Sequence, residues 1–160
     1  MSDIINFTFR IKQISTLEFS IKNISGEISD NMDVFKFEVL PQLFIEPDNI
    51  LGFITVINVY EQRENPVLIC NLITRISFEI INFKDLLTPE TPNLIKLPDL
   101  LSQTLLSISL STSRGILAAK TEGTILKNVY LPVLNPTDFK AKPQIDNQII
   151  DTESLKDRLK

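Results

Sequence analysis

The stretch from Leu100 to Ser113 contains no charged residue. Its leucines and isoleucines lie on several sides of the predicted helix, and serine and threonine fill the positions between them. A helix on the surface of a soluble protein normally presents a charged face to water, and this helix has none. We therefore expect it to be covered on more than one side, by a sheet of its own chain and by a second subunit. The alternative is a helix that is buried entirely within its own monomer.

Four segments that precede this helix have the patterns of β-strands, over residues 7–22, 35–40, 50–60 and 67–83. The first two alternate apolar and polar residues, which indicates one buried face for each strand. The other two are rich in isoleucine, valine and phenylalanine, which is typical of strands inside a sheet. Because links of turn length join the segments, we expect an antiparallel meander in which each strand pairs with the next along the chain.

Two irregularities interrupt the strand patterns. The spacing of Ile11, Ile14 and Leu17 breaks the alternation twice within the first strand, which predicts a bulge or a bend. Pro41 has no N–H group to donate to a neighbouring strand, so we expect it to weaken the continuation of the second strand.

The segment TPETPN at residues 88–93 is unsuited to a helix or a central strand. It predicts a crossover loop over residues 84–97, with Pro98 as the first residue of the helix. After the helix, residues 125–134 are expected to return in an extended form. The predicted fold is therefore α+β: a four-stranded antiparallel meander sheet, a Pro-rich crossover and one long helix, in an oligomer. The ordered domain is expected to span residues 1–136, followed by a polar, flexible tail over 137–160.

The chain contains no histidine and one cysteine, Cys70. The missing histidine excludes hydrolase mechanisms that use a histidine base, and it removes the commonest zinc ligand. A single cysteine forms no disulfide within the chain, so we interpret Cys70 as an inert core thiol. Neither a glycine-rich phosphate loop nor an acidic metal-binding motif occurs in the sequence. We therefore expect no enzyme activity, no metal and no cofactor.

The formal net charge is −4, which argues against nucleic-acid binding because phosphate contacts require a basic surface. The first ten residues lack the basic and apolar regions of a signal peptide. No stretch approaches the roughly 18 consecutive apolar residues of a membrane-spanning helix. We therefore expect a cytoplasmic protein that does not insert into a membrane.

The order of the elements points to a family, over roughly Phe9 to Pro136. The relevant segments are the opening strand at residues 9–21, VLICNL at 67–72, the Pro-rich crossover, the helix ending in SRG at 113–115 and the return LPVLNP at 131–136. In this order they resemble the bacterial export chaperones of the SecB family. No single motif among them is specific.

The resemblance implies a chaperone that holds unfolded or nascent polypeptides in apolar grooves without ATP. It also implies a homotetramer, a dimer of dimers with the long helices between the sheets. The matching client-binding residues are Phe35, Phe37 and Val39, with Leu86 and Leu87 of the crossover. The residues expected at the oligomer interface are Leu101, Leu105, Ser107, Ile108 and Ser109. Ordinary core packing is the alternative role for Phe35 and Phe37.

SecB proteins dock the translocase ATPase SecA through an acidic patch on the outer face of the sheet. The matching positions here are Glu18, Lys22, Ile69 and Asn71. Because Lys22 and Asn71 replace acidic residues, attraction to a basic partner segment should be weaker. We therefore expect the holding function to be retained better than SecA binding, in a role either in export or beside a toxin–antitoxin pair.

Two other functional classes remain open at this point. A hot-dog-like thioesterase or acyl-binding protein also packs a long helix against an antiparallel sheet. Such enzymes need an acid, an amide or a histidine near the helix, and Gln103 is the one candidate between Asp99 and Arg114. The third class is a structural oligomer that binds no client.

Overall fold

A computed structural model of the chain describes residues 7–22, 34–83, 88–91 and 94–139, with the backbone alone for 88–91 and 94–96. The strands are β1 (Phe9–Ile21), β2 (Phe35–Glu46), β3 (Ile50–Glu61), β4 (Val67–Ile80), β5 (Thr88–Thr91) and β6 (Leu94–Lys96). They are followed by a helix, α1 (Asp99–Thr121), and by a short 3-10 turn, Pro136–Asp138. The described residues therefore form an α+β fold.

The four long strands form one antiparallel sheet in the order β1-β4-β3-β2. β2, β3 and β4 pair with their neighbours in sequence, but β1 pairs with β4 and lies at the opposite edge from β2. The meander prediction is therefore wrong for β1. Residues 22–34 separate β1 from β2, a link too long for a tight hairpin and long enough to reach the far edge, as in a Greek key.

The irregularities predicted for the first two strands have different outcomes. The register of β1 against β4 shifts between Ile11 and Gln13 and again between Thr16 and Glu18. The prediction of a disturbed alternation in β1 is thus confirmed at both points. β2, however, continues through Pro41 to Glu46, so the expected weakening is wrong. Because β2 is an edge strand, a missing N–H group is tolerated there.

The helix α1 lies against β3 and β4. The helix begins at Asp99, with Pro98 in the position just before it. The predicted start at Pro98 was therefore one residue too early. Beyond the last residue of α1, Gly123 adopts a left-handed φ of +76°, a conformation that commonly ends helices and favours glycine. Eight residues of α1 are buried: Leu101, Leu105, Leu106, Ser109, Leu110, Ser113, Leu117 and Thr121.

The core between α1 and the sheet consists of two apolar clusters. The first cluster surrounds the start of the helix and includes Phe53, Ile76, Leu105 and Leu110. The second cluster surrounds its end and includes Phe35, Ile57, Leu72, Leu117 and Leu131.

Small polar side chains separate the two clusters. Thr74 and Ser113 share a hydrogen bond of 2.7 Å between their hydroxyls, and Ser113 also donates to the carbonyl of Ser109 at 2.8 Å. Thr55 lies opposite Thr74 on β3. The hydroxyls of Thr55 and Ser109 are fully buried and have no hydrogen-bond partner among the described residues. We call Thr55, Thr74, Ser109 and Ser113 the polar boundary. It is narrow because these side chains are short.

The crossover contains a two-stranded ribbon in which β5 pairs antiparallel with β6, separate from the main sheet. The sequence predicted a loop for this region. Residues 84–87, which include the predicted client-binding Leu86 and Leu87, lie outside the described residues, as do residues 140–160 of the predicted tail.

Candidate functional site

The edge strand β2 carries a row of apolar side chains toward the helix side of the sheet. We call Phe35, Phe37, Val39, Leu43 and Ile45 the β2 row. Its pairing with β3 places each member opposite a residue of the same face, such as Phe37 opposite Val59 and Val39 opposite Ile57. Phe35 is buried and 7% exposed, whereas the other members are half-buried. The three predicted client-binding residues of this strand therefore lie side by side on one face.

The chain that follows α1 packs in the same cluster as Phe35, Phe37 and Val39 of the β2 row. We call residues 126–139 the return segment. Leu126, Val129 and Leu131 are buried together with Phe35 in the second cluster. Leu134 packs against both clusters, as Val39 of β2 does. The β2 row and a later segment of the same chain therefore share one apolar cluster, which the sequence did not predict.

The other edge of the sheet is less covered. Ile11 and Ile14 of β1 are each 48% exposed and Leu17 is 38% exposed. Ile11 lies opposite Phe78 and Ile14 lies opposite Ile76, and both of these β4 residues are fully buried in the first cluster. We call Ile11, Ile14 and Leu17 the β1 edge residues.

An uncharged line of mostly small residues runs along the exposed side of α1, between the exposed charges of Asp99 and Lys120. We call Gln103, Ser107, Ser111, Gly115 and Ala119 the helix line; all are exposed in the single chain. Among the residues predicted at an oligomer interface, Ser107 belongs to this line and Ile108 is half-buried beside it.

The other three predicted interface residues lie inside the monomer. Leu101, Leu105 and Ser109 are buried between the helix and the chain's own sheet. Helix periodicity brings them to the face opposite the helix line. A contact with a second copy would therefore use Ser107 and the residues one turn from it.

The outer face of the sheet, away from the helix, carries a hydrogen-bonded polar row. Asn71 Nδ2 donates to Asn58 Oδ1 at 2.7 Å, and Asn58 Nδ2 donates to Glu38 Oε2 at 2.9 Å. The hydroxyl of Tyr60 donates to the same carboxylate oxygen at 3.3 Å. Burial, followed by the Glu38 carboxylate, raises the pKa of Tyr60. We call Glu38, Asn58 and Asn71 the amide row.

The predicted SecA-docking positions do not form one exposed patch. Lys22 is exposed and Glu18 is half-buried, while Asn71 is engaged in the amide row. Ile69 is 1% exposed and belongs to the second cluster. It lies at a register shift in the pairing of β3 with β4, where the alternation of faces is interrupted; its assignment to the patch came from the resemblance alone.

The described residues offer little for acid–base or metal chemistry. Burial raises the pKa of the Cys70 thiol to about 11, which opposes thiolate formation. No group of three or more potential ligand side chains suited to a metal occurs in the described part of the chain. Gln103, on which the hot-dog interpretation depends, is exposed on the helix line. Among the described helices, none is long and apolar enough to cross a membrane.

Comparison with known proteins supports the fold. The chain matches the structure of the Mycobacterium tuberculosis Rv1957 SecB-like chaperone, solved in complex with a ChAD peptide from the Rv1956 HigA1 antitoxin, with a TM-score of 0.51 and 11% sequence identity. The match covers 79% of this chain and 87% of that one. This chain has a SecB-like fold.

Two further findings come from the same comparisons. A protein of unknown function from Streptococcus agalactiae matches with a TM-score of 0.41 and 13% identity, over 81% of this chain and 98% of that one. No family model matches the sequence, and no curated protein matches it either. The SecB-like assignment is therefore one of fold.

Proposed function

We propose that this protein is a chaperone that holds unfolded or nascent polypeptides without ATP, by apolar contacts along the β2 row. The observation that carries the proposal is the SecB-like fold together with a row of apolar side chains on an edge strand. Apolar contacts are non-directional and scale with buried area, so they suit clients of varied sequence.

The structural neighbour supports a polypeptide as the ligand. Rv1957 was solved with a peptide from an antitoxin, which is a chain segment and not a metabolite. For this protein we propose clients of the same chemical kind, either exported proteins or an antitoxin. No observation favours the acyl-binding alternative, because the polar side chain it requires faces away from the sheet.

Suppression of the aggregation of an unfolded protein tests the holding function. Phe37 is half-buried and Phe35 is buried, so Phe37→Ser is the variant that removes contact area with the smaller effect on folding. We expect Phe37→Ser to bind clients about ten-fold more weakly, a loss of about 1.4 kcal/mol. Ile81→Ser is the control, because Ile81 is 63% exposed outside the β2 row. Equal activity of Phe37→Ser and the unmodified chain would exclude the β2 row as the client surface.

We further propose a homotetramer, near four times the 18.2 kDa chain mass. Two separate uncovered surfaces, the helix line and the β1 edge residues, would allow two different contacts between copies, as a dimer of dimers requires. Ser107→Glu should dissociate the assembly, because a carboxylate between helices loses its hydration without gaining a partner. Light scattering measures the mass, with Thr137→Glu as an exposed control outside the helix. A monomer at micromolar concentration for the unmodified chain contradicts this proposal.

SecA binding, if retained, should be weak. Lys22 is an exposed cation just after the end of β1, and its charge opposes a basic partner segment. Lys22→Glu should raise the affinity for SecA, chiefly through faster association at low salt, an effect that added salt screens. Calorimetric titration of both forms measures it. Tight SecA binding that is unchanged by Lys22→Glu would indicate that docking uses another surface.

A further inference from the structure

The return segment has the properties of a client that is bound within its own chain. Its apolar side chains Leu126, Val129 and Leu131 are buried in the second cluster, the cluster that contains Phe35. Phe37 and Val39 pack against the same cluster from the β2 row, and Leu134 packs against both clusters. The proposed client surface and the return segment therefore meet in one apolar cluster.

The backbone of the return segment is held only locally. The hydrogen bonds between main-chain groups of this segment join residues three apart: Lys127 to Thr124, Val129 to Leu126, Asp138 to Asn135 and Phe139 to Pro136. No main-chain hydrogen bond among the described residues joins it to β2. Pro132 and Pro136 have no N–H group with which to form one. Apolar side-chain contacts therefore hold this segment, and a client would offer contacts of the same kind.

One side of the segment is already free. Val133 is 85% exposed and Tyr130 is 52% exposed, whereas Leu131 is 3% exposed. A segment that is anchored by a few inward side chains can detach at lower cost than a strand with a ladder of main-chain bonds, because fewer interactions break together.

We propose that residues 129–139, the larger part of the return segment, act as an internal competitor for the β2 row. An extended apolar polypeptide then binds by displacing them. This inference rests on the proposed function and adds its regulation. The contact is autoinhibitory, because a client binds only the form in which the segment has left the row. The apparent affinity for a client is therefore the intrinsic affinity multiplied by the fraction of molecules in that form.

Client affinity of a matched pair of variants tests the competition. Leu134→Ser removes an inward contact of the segment, and Val133→Ser changes its exposed neighbour. The probe is a fluorescently labelled, reduced and carboxymethylated α-lactalbumin, which stays unfolded. We expect Leu134→Ser to bind the probe about ten-fold more tightly, because the competitor is weakened, and Val133→Ser to bind it as the unmodified chain does. Equal or weaker binding by Leu134→Ser would overturn the inference.

Thiol labelling gives a second readout that a purely structural role of the segment would not change. In a Cys70→Ala background, Leu134→Cys should react faster with a thiol reagent when the probe is added, because the segment leaves the row. Val133→Cys should react rapidly with or without the probe. A labelling rate at position 134 that is unchanged or lowered by bound probe would overturn the inference.

The two proposals fail in different ways. Binding of the probe by the unmodified chain, without any change at position 134, would leave the chaperone proposal standing and exclude displacement. Binding by Leu134→Ser but not by the unmodified chain would support strong autoinhibition. Absence of binding by both chains would overturn the proposed function, and the internal competitor with it.

Discussion

The two edge strands of the sheet differ in what covers their apolar side chains. Both β1 and β2 turn such side chains toward the helix side of the sheet. On β2, Phe35 is 7% exposed and Val39 packs against both core clusters. On β1, Ile11 and Ile14 each remain 48% exposed, although their neighbours on β4 are fully buried.

This difference shows which part of the surface the chain completes by itself. The return segment and the β2 row contribute to the same apolar cluster, and Phe35 is far less exposed than Ile11 or Ile14 in the single chain. A long edge strand with exposed isoleucines is an aggregation hazard unless something pairs with it or covers it. We therefore expect substitutions at the β1 edge to affect mainly the assembly of copies. Substitutions at the β2 edge should affect mainly the stability of the folded chain.

Truncation of one residue on each edge should separate these roles most strongly. Phe35→Ala should lower the free energy of unfolding by about 3 kcal/mol, because a buried ring leaves a cavity. Ile14→Ala should cost less than about 1 kcal/mol in the dissociated chain, because roughly half of its side chain is already exposed. Urea denaturation at low protein concentration measures both. Similar losses at the two positions would show that the edges are equally important for folding.

A charge on the β1 edge should affect assembly more than folding. Ile14→Lys should weaken self-association about ten-fold or more, because an edge lysine opposes burial and strand pairing with another chain. Ile81→Lys, at an exposed position after the end of β4, is the control. Sedimentation velocity measures the distribution of species, and circular dichroism checks the fold. An assembly that survives Ile14→Lys unchanged would place the β1 edge outside the oligomer contacts.

The polar boundary between the clusters should respond in opposite directions to two similar substitutions. Thr55→Val should stabilise the protein by about 1 kcal/mol, because it replaces a buried hydroxyl without a partner by a methyl group of similar size. Thr74→Val should destabilise it by about 1 kcal/mol, because the buried hydrogen bond between Thr74 and Ser113 is lost, although Ser113 still donates to Ser109. Thermal and urea unfolding measure both. Stabilisation by both substitutions would mean that the Thr74–Ser113 bond contributes nothing net.

Ionisation of the Cys70 thiol should affect the free energy of unfolding only at alkaline pH. Cys70 lies on β4 opposite Ile21 of β1, and burial raises the pKa of its thiol from 9.0 to about 11. Above pH 9 the unfolded thiol releases a proton that the native thiol keeps, so stability should fall as the pH rises from about 9 to about 11. The Cys70→Ala variant should show a shallower decline in urea midpoint over this range. If the urea midpoints of the unmodified chain and of Cys70→Ala decline in parallel with pH, the loss of stability does not come from the Cys70 thiol.

Local patterns predicted the elements better than their arrangement. The double break in the alternation of Ile11, Ile14 and Leu17 predicted both register shifts of β1, because a bulge moves side chains from one face to the other. The uncharged stretch after Pro98 predicted the long helix. Alternation reports which face of a strand is buried but not which strand is its neighbour, so the pairing of β1 with β4 was missed.

The candidate site was predicted only in part, for a related reason. The apolar alternation of β2 placed Phe35, Phe37 and Val39 on one face, which they do share, and the resemblance to the SecB family suggested their role. The sharing of one cluster by that face and the return segment brings together residues about a hundred positions apart, such as Phe35 and Leu131. Residues without regular structure leave no periodic signal. Likewise, the uncharged helix suggested Leu101 as an interface residue, although its side chain is buried within the monomer.

The amide row on the outer face has a consequence for how the strands align. An apolar alternation with a period of two forbids a slip of one residue, because that slip would move every side chain to the wrong face. A slip of two residues keeps every side chain on its own face, so the apolar alternation does not prevent it. The bonds from Asn71 to Asn58 and from Asn58 to Glu38 cross β4, β3 and β2 at one level, and a two-residue slip would break them. The row therefore acts as an alignment mark, which selects one register among those that the apolar pattern allows.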